Sequence, residues 1–333
     1  MIIRVRKQRR VEEKDKCAVG LRKNIMELKD LKEIIACLSG DRTKFYYFRD
    51  RYALMLLRDY IGNKSVSISD LKQSPYANLL NKAPIKKVLS TAGNGLITAE
   101  MLEMAWDEKP LAFVTTLAQW GAGKKYWKHN QMSRQGYHLV LQLNMATDHT
   151  QQFEKLIRPS DVHTLNSYGH PSLKKGSRGT LAWVRLDMDF ETNEVLIEEI
   201  QCDWIREVRE AVKEGYTWYG DYSSDEIKAY ANDVLAPYAK VWEEAMLSAT
   251  IDFIRHELGI NRIFYHSFEI GALLKHIKYS KPPRSLYTKL PKQFGFQKTT
   301  LGPDFLMREK RVLKLQKKVK EPYWFTLPLP NVA

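Results

Sequence analysis

Hydrophobic and polar residues alternate most cleanly between Thr180 and Trp204, TLAWVRLDMDF-ETNE-VLIEEIQCDW, in two runs joined by a short polar stretch. Period-two alternation around such a break predicts a β-hairpin. On the second run Val195, Ile197, Glu199, Gln201 and Asp203 fall on one face, and Leu196, Glu198, Ile200, Cys202 and Trp204 on the other. If Glu191 and Glu194 face each other across the turn, Glu199 is expected beside Leu186, Gln201 beside Val184 and Asp203 beside Ala182. One face therefore begins apolar and ends in three polar groups. Such a row is either a binding or catalytic surface or a polar cap on a sheet edge.

Upstream the spacing is helical. Leu21, Ile25, Leu28, Leu31, Ile34, Ile35 and Leu38 predict a helix ended by Gly40, after a short basic arm. A second helix is expected from about Lys44 to Tyr60, with Phe48, Tyr52, Met55, Leu56 and Tyr60 inward. Ser67 or Ser69, Pro84 and Thr98 then open three short helices, a pattern shared by helix-turn-helix modules and plain helical bundles. From Leu111 the spacing changes to that of strands, in LAFVTTLAQW, YHLVLQLNM and the hairpin. The expected division is a helical N-terminal region, 1–108, and an α/β domain, 109–333. Gly, Pro, Ser and Asn mark 161–179 as a long loop over the sheet, and it carries His170. Gly123-Lys124 lacks the rest of a phosphate-binding loop and reads as a turn.

After Trp204 come a helix with Ile205 and Val208 inward, ended by Gly215, and a helix capped by Ser223 and Glu226. A long helix, Tyr238 to Leu258, leads through Gly259 to the strand RIFYHS and the helix FEIGALLKHI. Helices alternating with strands predict an α/β (α+β) fold, a mixed central sheet with packed helices.

Charge divides the chain. Asp187 to Glu257 holds 18 acidic against 6 basic residues, whereas Ile270 to Lys320 holds 14 basic against 2 acidic. The basic end either folds back on the acidic middle or presents a surface to nucleic acid or another polyanion. Three cysteines, widely spaced, suit neither a disulfide framework nor a zinc site. No apolar run reaches eighteen residues and no signal-peptide core follows the charged start, so a cytoplasmic protein without a membrane partner is expected.

Two family resemblances rest on specific stretches. The segment from Trp242 to Phe296, with NRIFYHS, FEIGALLKHI and SLYTKLPKQFGF, resembles the C-terminal half of GNAT-type N-acyltransferases. That resemblance implies that the hairpin supplies the central strands, that Tyr287 is a general acid, and that acyl-coenzyme A is the donor. GNAT enzymes follow the central strand with a glycine-containing loop that holds the coenzyme pyrophosphate, and DWIREVREAVKEG has no such glycines. The second resemblance covers roughly Arg134 to Phe296. EEIQCDW is similar to the EEIQSDW stretch of a domain in large phage-encoded polyvalent proteins, with Cys202 in place of Ser. His170, Glu199, Gln201, Asp203, Trp204, Trp242 and Tyr287 are the matching positions.

Together these readings predict an acyltransferase-like enzyme acting on an amine or hydroxyl. Glu199 is the expected base, Tyr287 the acid and His170 a further catalytic group, with Gln201, Asp203 and Trp204 toward the substrate. The alternative is a non-catalytic nucleic-acid-associated protein of phage or mobile-element origin. A metal-dependent hydrolase built on His170, Glu199 and Asp203 ranks behind both, since no ligand-spacing motif supports a metal.

Overall fold

The computed structural model describes residues 25–38, 43–107, 109–121, 131–159, 165, 169–171, 179–215, 221–277 and 282–330. The expected arm and Leu21, Gly40, Gly123-Lys124 and most of the 161–179 loop lie outside them. In chain order the N-terminal part contains α1 (Leu28–Leu38), β1 (Thr43–Tyr47), α2 (Arg51–Ile61), β2 (Val66–Ser67), α3 (Ile68–Gln73), α4 (Ala83–Thr91), β3 (Leu96–Ile97) and α5 (Ala99–Glu103). There follow β4 (Leu111–Trp120), β5 (His138–Met145), α6 (Thr147–Ile157), β6 (Thr180–Asp189), β7 (Glu194–Gln201) and α7 (Asp203–Glu214). The remainder is α8 (Ser224–Ala229), α9 (Ala236–Ala239), α10 (Trp242–Asp252), β8 (Arg262–His266), α11 (Phe268–Leu274), α12 (Lys289–Gln293), β9 (Gln297–Thr299), α13 (Asp304–Met307), α14 (Lys310–Gln316) and β10 (Trp324–Thr326).

Eight strands form one mixed sheet in the order β1-β4-β5-β6-β7-β8-β10-β9, with the hairpin β6–β7 at its centre. Every neighbouring pair is antiparallel except β7 and β8. A parallel pair needs a crossover, and α7 to α10 supply it. The stretch read as the start of a long helix at Lys44 is instead β1, because TKFYY is β-branched and aromatic and its edge pairing with β4 overrides the helical spacing downstream. The sheet thus crosses the boundary at 108/109. The helix begins only at Arg51.

One sheet face is apolar. Leu141, Val184, Leu186, Val195, Ile197 and Tyr265 share a single core cluster with α10, which is buried continuously from Ala245 to Ile251. Ser248 and Thr250 are buried with it, and Thr250 returns its hydroxyl to the Met246 carbonyl of the same helix. The N-terminal helix α2 packs on α10 as well, and Tyr47 and the backbone amide of Asp50 both donate to the Glu244 carboxylate. The local signals act as anticipated at several ends. Ser67 and Thr98 cap α3 and α5, Ser223 and Glu226 form a reciprocal capping box on α8, and Gly215 ends α7 at φ +77°.

On the same side, α6, which strand spacing had hidden, sets His149 among Phe153, Trp204, Tyr230 and Tyr238. Its Nε2 lies 3.0 Å from the Tyr230 hydroxyl, and burial pushes its pKa down to about 4, against a small upward pull from Asp148. An unfolded imidazole, near 6.5, takes up a proton before the folded one does. Stability from this group is complete above pH 6.5 and drains away as the pH falls toward 4, by on the order of 3 kcal/mol in all. Urea titrations at pH 7 and pH 4.5 should show this loss, and His149→Phe should flatten it.

Candidate functional site

The second face of the central sheet is charged where a core would be apolar. In the observed register Arg185 pairs with Glu199 and Trp183 with Gln201, and a bulge lies between Arg185 and Leu186. Glu198 is the extra residue. The bulge overturns the expected pairing of Glu199 with Leu186 and Gln201 with Val184, and it puts Val195 and Ile197 on the face opposite Glu199. Simple alternation would have set Glu199 among Val184 and Leu186. Inserting one residue brings both glutamates to the Arg185 side, where their charges are compensated.

The compensation is dense. Arg185 reaches Glu199 Oε2 at 2.6 Å and Glu198 Oε2 at 3.2 Å. Glu198 Oε1 also accepts from the Ser133 backbone N–H at 2.8 Å, and Glu199 Oε1 accepts from Gln201 Nε2 at 2.5 Å. Arg134 grips Asp187 through Nε and Nη2 at 2.8–3.0 Å. His138 stands between the two clusters, 3.5 Å from Glu198 and 3.6 Å from Asp187. Lys275, 1% exposed, donates to the Glu198 carbonyl and lies 3.5 Å from Glu199. Three fixed cations, Arg134, Arg185 and Lys275, therefore balance three carboxylates, Asp187, Glu198 and Glu199.

That balance decides what His138, Asp187 and Glu198 can do. Their potential ligand atoms lie within 4.8 Å of one another, a donor set that suits a hard or borderline cation. Two guanidiniums already lie against the carboxylates, so a divalent ion would have to share them. The cluster is an ionic lock as it stands, with both nitrogens of His138 buried and without a hydrogen-bond partner among the described residues. Glu199 is bound by the same argument. Burial pushes its carboxyl up, but Lys275 and Arg185 outweigh burial and hold it below the usual range. Both Glu199 oxygens are engaged and its proton affinity is lowered, an arrangement that favours holding the strand over taking a proton.

Where β8 ends at His266, β7 runs on to Gln201, and the parallel strands part. Lys275 and Tyr287 fill the fork, with Lys275 Nζ 5.6 Å from the Tyr287 ring centre. Tyr287 is 1% exposed and its hydroxyl has no hydrogen-bond partner among the described residues. Burial, and after it Glu199, raises its pKa well above 10. It keeps its proton.

A different pair forms at the end of β7. Asp203 opens α7 and does not continue the strand, so it leaves the Glu199–Gln201 row. His170 Nδ1 lies 2.8 Å from Asp203 Oδ2, Trp183 Nε1 donates to the same oxygen at 3.3 Å, and Arg206 Nη2 donates to Oδ1 at 2.8 Å. Burial raises the Asp203 carboxyl, but His170 and Arg206 outweigh it and the group is held below the usual range. Asp203 is 3% exposed and His170 27%. Trp120 and Trp183, stacked 5.6 Å apart, wall the imidazole on one side. The chain matches no protein-family model, no curated protein and no solved structure. The site therefore stands on its geometry.

Of the six residues singled out from sequence, the structure joins Glu199 with Gln201 and His170 with Asp203. It sets Tyr287 at the fork beyond Lys275. Trp204 points the other way, into the apolar core, where its indole donates to Tyr230 at 2.7 Å and its ring fills the space a Cβ on Gly179 would need. Sequence reasoning missed Arg134, His138, Arg185, Asp187 and Lys275. Arg185 and Asp187 were within reach, since they alternate with Val184, Leu186 and Met188 in the strand beside Glu199.

Proposed function

We propose that the chain is a GNAT-like transferase that moves an acyl group from a thioester to an amine or hydroxyl, with His170 as general base. The observation that carries this reading is the His170–Asp203 pair at the end of β7. A partly exposed imidazole held at Nδ1 by a buried carboxylate keeps Nε2 for a substrate proton, and the carboxylate steadies the imidazolium that results. His170 takes the proton of the acceptor N–H or O–H as the acceptor attacks the thioester carbonyl. When the carbon–sulfur bond breaks, His170 returns that proton to the leaving thiolate. Burial pushes the thiol of the neighbouring Cys202 up to about 12, which disfavours the thiolate that a covalent acyl-enzyme would need. The central position of the hairpin, followed by a crossover to a parallel strand, supports the GNAT-like part of the reading.

Coenzyme A does not fit the start of α7. Close approach of a pyrophosphate needs bare backbone amides, and Cys202, Asp203 and Trp204 carry side chains there, one a carboxylate. The donor is then recognised by its acyl and pantetheine-like end. Acetyl-pantetheine should acylate a panel of small amines and alcohols at least as fast as acetyl-coenzyme A, measured by thiol release. No thiol release above background from either donor would end the transferase reading. The alternative of a nucleic-acid-associated protein draws on the basic C-terminal surface, whose chemistry is taken up below.

A further inference from the structure

Among the described residues the acidic middle reaches the basic end through Lys275, which pairs with Glu199, but it leaves the last lysines of that end without an ion pair. Within the described residues the other carboxylates of the middle pair with arginines and lysines outside that end, Arg134, Arg158, Arg185, Arg206 and Arg262 among them. Lys310, Lys314, Lys317, Lys318 and Lys320 are exposed and form no ion pair there. Lys310 and Lys314 are one helical turn apart on α14, and Lys317 and Lys318 follow directly after its last residue, Gln316.

Beside this stripe runs a groove of about 410 Å³ along the outer side of α11. Phe268, Ala272, Leu273, Ile277 and Val319 supply its apolar lining; Glu269 at its edge is taken by Arg284, which leaves Lys318 as the cation there without an ion pair among the described residues. Four of the five apolar residues are aliphatic. Two rings line the groove: Phe268 has the Arg284 guanidinium 4.6 Å from its ring centre, and His276 is held by Arg311 at 2.7 Å. Bases stack on open π faces, and this floor offers almost none. Aliphatic side chains spaced along a helix face are what an amphipathic helix covers, and a basic rim selects acidic flanks on it.

We infer that the α11–α14 groove docks an amphipathic helix of another protein, its apolar face on Leu273, Ile277 and Val319 and its acidic flank on Lys314 and Lys318. The inference is independent of the transferase reading, and its test needs no turnover. Fluorescence anisotropy of the full chain would be measured against three labelled probes. These are a synthetic helix of about 18 residues with leucines on one face and glutamates on the other, the same helix with lysines for glutamates, and a single-stranded DNA of similar length. The glutamate helix should bind about tenfold or more tighter than the lysine helix. Lys314→Glu with Lys318→Glu should weaken it by about tenfold, and so should Ala272→Glu on the floor. The lysine pair is fully solvated, so its variant keeps the test valid should Ala272→Glu fail to fold. Absent binding, equal binding of the two helices, or indifference to the lysine substitutions would overturn the proposal. Tighter binding of the DNA than of the glutamate helix would also overturn it and assign the surface to nucleic acid.

Discussion

Arg185→Met is expected to destabilise the protein by about 3–5 kcal/mol, the largest effect on stability of any single change considered. The arginine spans the bulge and serves two buried carboxylates at once, Glu198 at 3.2 Å and Glu199 at 2.6 Å. Methionine fills much of the volume but leaves both charges with less compensation in a medium that solvates them poorly. Denaturant titration measures the loss, and adding Glu198→Gln and Glu199→Gln to Arg185→Met should recover a good part of it. A single variant within about 1 kcal/mol of the wild type would show that the ionic face contributes little. Acid should have a related effect. Glu198 is held well below the usual range because His138 and Arg185 outweigh burial, and Glu199 and Asp203 are held below it too. Groups with depressed folded-state pKa values stabilise fully above their unfolded values, near 4, and that contribution disappears as the pH falls through the lower folded values.

His170→Ala should lower kcat for acyl transfer by about 10²- to 10⁴-fold while leaving the denaturation midpoint nearly unchanged, because the ring is partly exposed and its main partner, Asp203, keeps Trp183 and Arg206. Asp203→Asn should lower kcat as well, since an amide orients the ring without stabilising the imidazolium, and KM should move less than kcat. Glu199→Gln should behave in the opposite way, costing stability more than rate. If Glu199→Gln abolished transfer in a folded protein while His170→Ala did not, the base would be Glu199 after all. The two variants are best assayed with acetyl-pantetheine, so that weak capture of the coenzyme pyrophosphate does not obscure the chemical step.

Alternation along Thr180–Trp204 was enough to place a hairpin, and glycine, proline and capping signals placed most helix ends, because these depend on neighbours within a few residues. Mixed sheet with packed helices follows from that order of elements. The sequence also marks a charged strand face, through Arg185 and Asp187 alternating with apolar residues and through Glu198 and Glu199 in the next strand. What it could not decide was register. Adding one residue at Glu198 reverses which side of the sheet every later residue faces, and only the partner strand shows that Arg185 lies opposite Glu199.

Distance along the chain hid the rest. Lys275 meets Glu199 from 76 positions away, and His170 meets Asp203 across 33. Neither contact leaves a periodic trace, since each requires separate elements to pack first. β1 was hidden for a similar reason: a five-residue edge strand beside a strong helix pattern is extended only because β4 offers it hydrogen bonds. The chain by itself therefore determines the elements, their caps and the presence of buried charge. Tertiary packing alone decides which carboxylates are locked in ion pairs and which one orients a histidine, because charge compensation in a low-dielectric interior depends on distances of a few ångströms between residues far apart in sequence.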